Sequence, residues 1–276
     1  MKICIPSKDR ASEMTTHLYF SPKDILIFVE PHEIKRYQVH WPDYTFIDIK
    51  KSNQGVQYVR NFIIDTVQED KILMIDDDST GFSVRKKNGR YTSRLFNYLD
   101  LLKDAEEALE KHWGYSIPIV SFAFFTNKHS NNKRFFINSF GLFGFHGLNI
   151  SKIRENNIYY DSDFLEGEDY DMIAKIILAD GTVCSDYKYS FNPKNRFIGG
   201  MSSFRKLRKY TYDDCVRDAA YMFSKRYGVE FVKLKFDSDG YVSGFRIDLK
   251  LLAKRKELAK KNVKKYLLEK NSRVMS

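Results

Sequence analysis

KILMIDDDSTGF, residues 71–82, carries the clearest fold signal in the chain. An apolar run of strand length, Ile72 to Ile75, ends in three consecutive carboxylates. Adjacent acids repel one another, so stability alone gives little reason to set them at the end of a buried strand. In open α/β sheets, ligands sit beyond the carboxyl ends of the strands. Asp76 and Asp78 are two apart and share one side of an extended backbone. Two hard oxygen ligands on one side suit Mg²⁺ or Mn²⁺, with positions left for water and substrate phosphates. Such an ion would grip a diphosphate and neutralise charge on a leaving group. A solvated turn accommodates the same acids, and so does the site of another phosphate-handling enzyme such as a nucleotidyltransferase. The context favours a site: an apolar strand runs straight into the acids, and a helix carrying Arg60 and Asn61 precedes it.

Residues 2–6 and 24–31 read as strands stopped by Pro6 and Pro31, and 45–50 as a third. In residues 53–70, Val56, Val59, Ile63 and Val67 recur at helical spacing. This strand, strand, helix, strand order implies a mostly parallel sheet with helices on its faces. Downstream, 94–113 reads as a helix with Leu95, Leu99, Leu102, Ala105 and Leu109 inward and Gly114 at its stop. Residues 117–125 form a buried strand, and 134–150 extended segments broken by glycines. A helix over 169–181 turns Met172, Ile173, Ile176 and Ile177 to the core and ends at Gly181. Residues 211–228 form a helix between the caps Thr211 and Gly228. Residues 229–249 read as a hairpin turning at Asp-Gly, and the lysine-rich end as a helix. A soft boundary near 204 divides the chain into 1–204 and a basic extension over 205–276.

The 276 residues are 43% hydrophobic and 30% charged, which excludes a disordered chain. The net charge of +10 favours a polyanionic partner such as nucleic acid, an anionic membrane or a phosphorylated substrate. Cys4, Cys184 and Cys215 show neither disulfide nor zinc spacing and fit a reducing compartment. The N-terminus turns polar too early for a secretory segment, and no apolar run is long enough to span a bilayer. The expectation is a cytoplasmic protein that is not membrane-bound. The oligomeric state is left open.

ICIPSKDRA (3–11), GVQYVRNFII (55–64), ILMIDDD (72–78) and LEGEDYDMIAKIILADG (165–181) together resemble the motif order of a GT-A glycosyltransferase. The Ser-Lys-Asp-Arg start, the GVQYVRN helix and the triple Asp are similar to the TET-associated glycosyltransferases of bacteriophages. That resemblance covers roughly residues 2–200. It implies a Rossmann-like GT-A fold, a UDP-sugar donor, Mn²⁺ or Mg²⁺, and a modified pyrimidine in phage DNA, such as 5-hydroxymethylcytosine, as acceptor. Asp76 and Asp78 would be the DxD pair on metal and diphosphate, with Asp77 beside them. Pro6, Ser7, Lys8 and Arg10 would lie near the nucleotide, Glu30 at its base or ribose, and Arg60 near the donor. Asp169 would be the general base, with Glu168 the fallback, and sugar transfer would invert the anomeric carbon. Asp169 also suits a helix N-cap. A third metal ligand is not evident, with His146 and His129 as candidates. Residues 198–203 would form a loop over the donor, Gly199 and Gly200 as hinges and Ser202 and Ser203 on phosphate; an ordinary glycine turn fits equally.

Arg85, Lys86, Lys87, Arg90 and Arg94 follow the acids with no carboxylate among them, and this loop is expected to leave the strand end close to the site and grip DNA. Further basic residues are Lys128, Lys133, Arg134 and those of 204–210 and 250–261. A polysaccharide, lipid or protein acceptor is the first rival. A non-enzymatic nucleic-acid-binding protein, its acids a structural turn, is the second.

Overall fold

The computed structural model describes residues 1–86, 88–111, 118–124, 135–137, 144–193 and 200–257. Strands β1 (Lys2–Pro6) and β2 (Ile25–Val29) lead through helix α1 (Ile34–His40) to β3 (Thr45–Asp48). Helix α2 (Val56–Thr66) precedes β4 (Lys71–Ile75), then come β5 (Ser79–Arg85), β6 (Tyr91–Thr92) and α3 (Tyr98–Lys111). The second half holds β7 (Pro118–Phe124), β8 (Phe135–Ile137), β9 (Phe145–Asn149), α4 (Ile150–Glu155), α5 (Glu168–Leu178) and β10 (Thr182–Pro193). Helices α6 (Gly200–Arg208) and α7 (Tyr212–Tyr227) and the hairpin β11 (Val232–Phe236) and β12 (Val242–Ile247) follow.

The large sheet runs β3-β2-β1-β4-β9-β7-β10-β5-β6, with β8 paired to β10. Its first four strands are parallel, and β9 enters antiparallel between β4 and β7. Helices cover both faces, as expected for a mixed α/β chain. Alternation along the strands makes the two cores. Ile3 and Ile5 of β1 and Leu73 and Ile75 of β4 join the α1 and α3 side. Cys4, Ile72 and Met74 join the α2, α4, α5 and α7 side. Strands buried on both faces read as unbroken apolar runs, which is why KILMI is legible as a central strand.

Met172, Ile173, Ile176 and Ile177 are buried as expected. The end of α5 is a Schellman turn, with Gly181 N–H on the Ile176 carbonyl and Asp180 N–H on Ile177. Asp180, not Gly181, takes the left-handed conformation, at φ 66°. Helix α7 is capped by Thr211, reinforced by Asp214, and ends at Gly228. The hairpin forms with its turn at Asp237–Gly240.

Leu95 and Leu99 are corrections: they are 60% and 55% exposed. Residues 93–95 make a separate 3-10 turn and α3 begins only at Tyr98, so the inward stripe is Leu101, Ala105, Ala108 and Leu109. The expected stop at Gly114 and most of the C-terminal lysine helix lie outside the described residues. Helix α1 escaped the sequence because it is a single short stretch with one buried anchor, Tyr37. Strand β10 escaped too, although Tyr187, Tyr189 and Phe191 recur at the strand period. Residue 204 falls inside α6, and beyond it Phe223, Phe231, Ile247 and Leu249 pack into the α2/α5 core. Among the described residues no helix is long and apolar enough to cross a membrane.

His17 is fully buried, its ring 4.1 Å from Trp41 and 4.9 Å from Tyr44, with no hydrogen-bond partner at either ring nitrogen. Burial pushes its pKa down from 6.5 to about 4. The neutral ring therefore supports the fold fully above pH 6.5, and that support is lost as pH falls toward 4. We expect His17→Phe to remove on the order of 2–3 kcal/mol of acid sensitivity between pH 7 and 4.5 in urea unfolding. An equally steep pH dependence in the variant would assign the acid sensitivity elsewhere.

Candidate active site

Beyond β4 the acids form a tight loop laced to the chain at 15–16. Thr15 and Thr16 donate their N–H groups to the Asp77 carbonyl at 3.0 and 3.2 Å. The Thr16 hydroxyl donates to the Asp76 carbonyl at 2.5 Å and accepts from Ser79 N–H at 2.8 Å. Asp76 N–H donates to the Gly144 carbonyl at 2.6 Å. This folding separates the three side chains. Asp77 is buried and bound by the Ser7 hydroxyl and the Arg10 guanidinium. Asp78 lies 3.1 Å from Arg10, and Asp76, 41% exposed, lies 3.6 Å from Arg60. All three line one cleft of about 750 Å³. A Cβ on Gly144 would fall 1.8 Å from Asp76 Oδ2. Gly144→Ala should therefore displace Asp76 and weaken divalent-cation binding at least tenfold by calorimetry; unchanged binding would mean that Asp76 is not a ligand.

Pro6, Ser7, Lys8, Arg10 and Glu30 line the same cleft. Their immediate partners are protein groups: Ser7 also meets the Tyr37 hydroxyl at 2.7 Å, and Lys8 reaches Glu30 at 2.6 Å and Asn53 at 2.7 Å. Arg10 and Ser7 thus shape the acid loop from the β1 side.

Arg60 joins the two carboxylate groups. Its side chain on α2 is 4% exposed, stacks 5.2 Å from the Tyr160 ring, and holds both Glu168 and Asp169 at 2.8 Å. Neighbouring Asn61 locks the geometry by exchanging two 2.8 Å hydrogen bonds with the Tyr160 backbone. Gly167, left-handed at φ 76°, is the N-cap of α5 and makes no side-chain cap bond. Asp169 is therefore not the N-cap; it and Glu168 stand in the first turn, where the helix dipole favours anions. Burial and the adjacent Asp169 raise the Glu168 carboxyl well above the usual range, while Arg60 opposes the shift.

Five carboxylates (Asp76, Asp77, Asp78, Glu168 and Asp169) thus face two guanidiniums, Arg10 and Arg60. Burial and repulsion from Asp76 push Asp78 up to about 6. With Asp77 committed to Ser7 and Arg10, Asp76 and Asp78 remain as hard oxygen donors beside excess negative charge. That donor set fits a divalent cation.

Other expectations move. Arg85, Lys86, Arg90 and Arg94 do not line the cleft. The chain continues from the acids as the seven-residue strand β5, so Arg85 stands roughly 20 Å along the strand from Ser79. Lys86, Arg90 and Arg94 are exposed there, and Lys87 lies outside the described residues. Gly200 and Ser202 belong to α6, not to a loop, because Gly200 opens the helix where its flexibility costs little; Ser202 lines the cleft. Gly199 and His129 lie outside the described residues. His146 is buried on β9, 3.2 Å from the Tyr160 hydroxyl, and does not line the cleft. No sequence pattern singled out Gly144, Phe204, Tyr212, Lys235 or Phe245, all of which line it, as do Glu166 and Tyr170 of the 165–181 motif and Arg205 of the basic residues at 204–210. Their aromatic and basic types were the available signal, but nothing local ties them to the acids.

The family model described as TET-Associated Glycosyltransferase matches residues 1–195. No curated protein matches the chain. Among solved structures, Staphylococcus aureus TarS 1-349 in complex with UDP-GlcNAc is 13% identical, with TM-score 0.48, covering 81% of this chain and 67% of that one. The structure of TarS 1-349 alone is covered over 66% of its length, about two thirds. Mannosyltransferase PcManGT from Pyrobaculum calidifontis, with GDP-Man and Mn²⁺, is 14% identical over 81% and 63% of the chains, TM-score 0.47. Glucosyl-3-phosphoglycerate synthase from Mycobacterium tuberculosis, with Mn²⁺, UDP-glucose and glycerol 3-phosphate, is 10% identical over 91% and 90%, TM-score 0.48.

Proposed function

The chain belongs to the TET-associated glycosyltransferase family, and from that premise we propose that it is a divalent-cation-dependent GT-A glycosyltransferase. It takes the sugar of a UDP-sugar and transfers it to the hydroxyl of a hydroxylated or hydroxymethylated pyrimidine in phage DNA. One observation carries the reading: Arg60 bridges the Asp76 side of the cleft to Glu168 and Asp169. One acid of the ion-binding pair, Asp76, and the candidate base therefore share one buried arginine.

Asp76 and Asp78 would hold Mn²⁺ or Mg²⁺, which supplies charge neutralisation at the departing diphosphate. Pro6, Ser7, Lys8, Arg10 and Glu30 surround the nucleotide, with Ser202 nearby from α6. Asp169, oriented by its 2.8 Å contact with Arg60, accepts the proton of the acceptor hydroxyl as that oxygen attacks the anomeric carbon. Attack from the face opposite the diphosphate inverts that carbon. Glu168, its carboxyl raised by burial, stands as the alternative proton acceptor.

The test is UDP release from a panel of UDP-sugars with Mn²⁺, with and without DNA containing 5-hydroxymethylcytosine. DNA-stimulated release abolished by EDTA is expected. Release indifferent to DNA would keep the transferase and assign the acceptor to a polysaccharide, lipid or protein. No UDP-sugar turnover or binding would remove the enzyme reading.

The 85–94 residues can contribute only phosphate contacts away from the transferred base. Lys86→Ala with Arg90→Ala should lower duplex affinity and flatten the slope of log K against log salt by roughly 2, leaving UDP binding intact. An unchanged slope would take this patch out of the DNA interface.

A further inference from the structure

Residues 200–257 lie beyond the matched segment, yet they make one wall of the cleft. Phe204 and Arg205 come from α6, Tyr212 from the start of α7, and Lys235 and Phe245 from the hairpin. Two glycines let this wall close on the candidate catalytic elements. A Cβ on Gly55, the N-cap of α2, would lie 3.3 Å from the Phe204 ring. A Cβ on Gly167, just before Glu168, would lie 2.6 Å from the Phe245 ring. A larger residue at Gly167 would push the hairpin side of the wall off the helix that carries Asp169.

The chemistry of this wall is the reverse of the acid loop. Tyr212 is 47% exposed, and the Arg205 guanidinium lies 5.4 Å from its ring centroid. Glu166, the carboxylate on this side, is paired with Arg205 at 3.2 Å. Lys235 has no ion-pair partner among the described residues. The hairpin-turn acids Asp237 and Asp239 do not line the cleft. The half-exposed Tyr212 ring, backed by the mostly buried Arg205 guanidinium, offers a stacking surface, and an unpaired ammonium at the same cleft offers a phosphate contact. One ligand class uses both: a nucleotide whose base is out of the stack.

We propose that α6, the first turn of α7 and the hairpin form the acceptor subsite for a single extrahelical nucleotide, with the Tyr212 ring, backed by Arg205, stacking its base and Lys235 contacting its phosphate. The assignment rests on the transferase reading only in taking Asp169 as the destination of the acceptor hydroxyl. It also explains how a base could reach Asp169 although the basic 85–94 patch stands far along β5.

The experiment compares wild type, Tyr212→Ala, Tyr212→Phe and Lys235→Ala in two titrations. One is fluorescence anisotropy of a short single-stranded oligonucleotide carrying 5-hydroxymethylcytosine. The other is UDP binding with Mn²⁺. Tyr212→Ala should weaken the oligonucleotide about tenfold or more, Tyr212→Phe should retain most of the affinity, and Lys235→Ala should lower the salt slope by about 1. UDP binding should be the same in all four. Unchanged oligonucleotide affinity in both alanine variants, or no oligonucleotide binding by a wild type that binds UDP, would overturn the subsite. If wild type fails to bind UDP, the transferase reading falls, and the oligonucleotide titration still decides whether this wall holds a nucleotide.

Discussion

Arg60→Met is expected to lower the unfolding free energy by about 3–5 kcal/mol, the cost of leaving buried carboxylates without their cation. Arg60 is 4% exposed and touches Asp76, Glu168 and Asp169, with its guanidinium against Tyr160. Those acids hold the arginine strongly in its charged form. Methionine fills similar space without charge, so the loss isolates electrostatics. Urea unfolding at pH 7.5 measures it. The defect should shrink as pH falls, because protonating the stranded carboxyls removes the uncompensated charge. Adding Glu168→Gln to Arg60→Met should recover part of the loss at pH 7.5. A loss below about 1 kcal/mol, the range of an exposed pair, would mean that Arg60 does not hold the two carboxylate groups together.

Asp76→Asn is expected to cut sugar transfer about 10³-fold, roughly 4 kcal/mol of transition-state stabilisation, by weakening the ion at the diphosphate. The fold should be unharmed or slightly firmer, since the change removes one of five carboxylates facing two guanidiniums. Asp77→Asn should behave in the opposite way. Asp77 is buried against Ser7 and Arg10, so its loss should appear first in stability. UDP release and urea unfolding on both variants separate the roles. Equal losses of activity and stability in the two would mean that the triple aspartate acts as one structural turn.

Several features of this site were legible before any coordinates. The apolar strand running into acids, the helix with Arg60 and the Glu-Asp start of α5 are local patterns. Their order along the chain carried the resemblance. Burial and register were less legible. Asp77 sits between two residues of identical chemistry, and only the hydrogen bonds of Ser7 and Arg10 distinguish it. Leu95 and Leu99 had the spacing of a helix face, but α3 starts later and leaves them in solvent. The 85–94 cations looked close to the acids because they follow them in sequence, and an extended strand converts that short separation into a long distance.

Sequence alone sufficed for the central strands β1, β2 and β4, the helices α2, α5 and α7, the acid-bearing strand end and the net positive charge, because hydrophobic period and residue type are local properties. Only the tertiary structure decided which aspartate is buried, that Arg60 bridges two acid groups far apart in the chain, and that residues 200–257 close the cleft. Those facts depend on which elements pack together, and Gly167 admits that packing where a Cβ would meet the Phe245 ring at 2.6 Å.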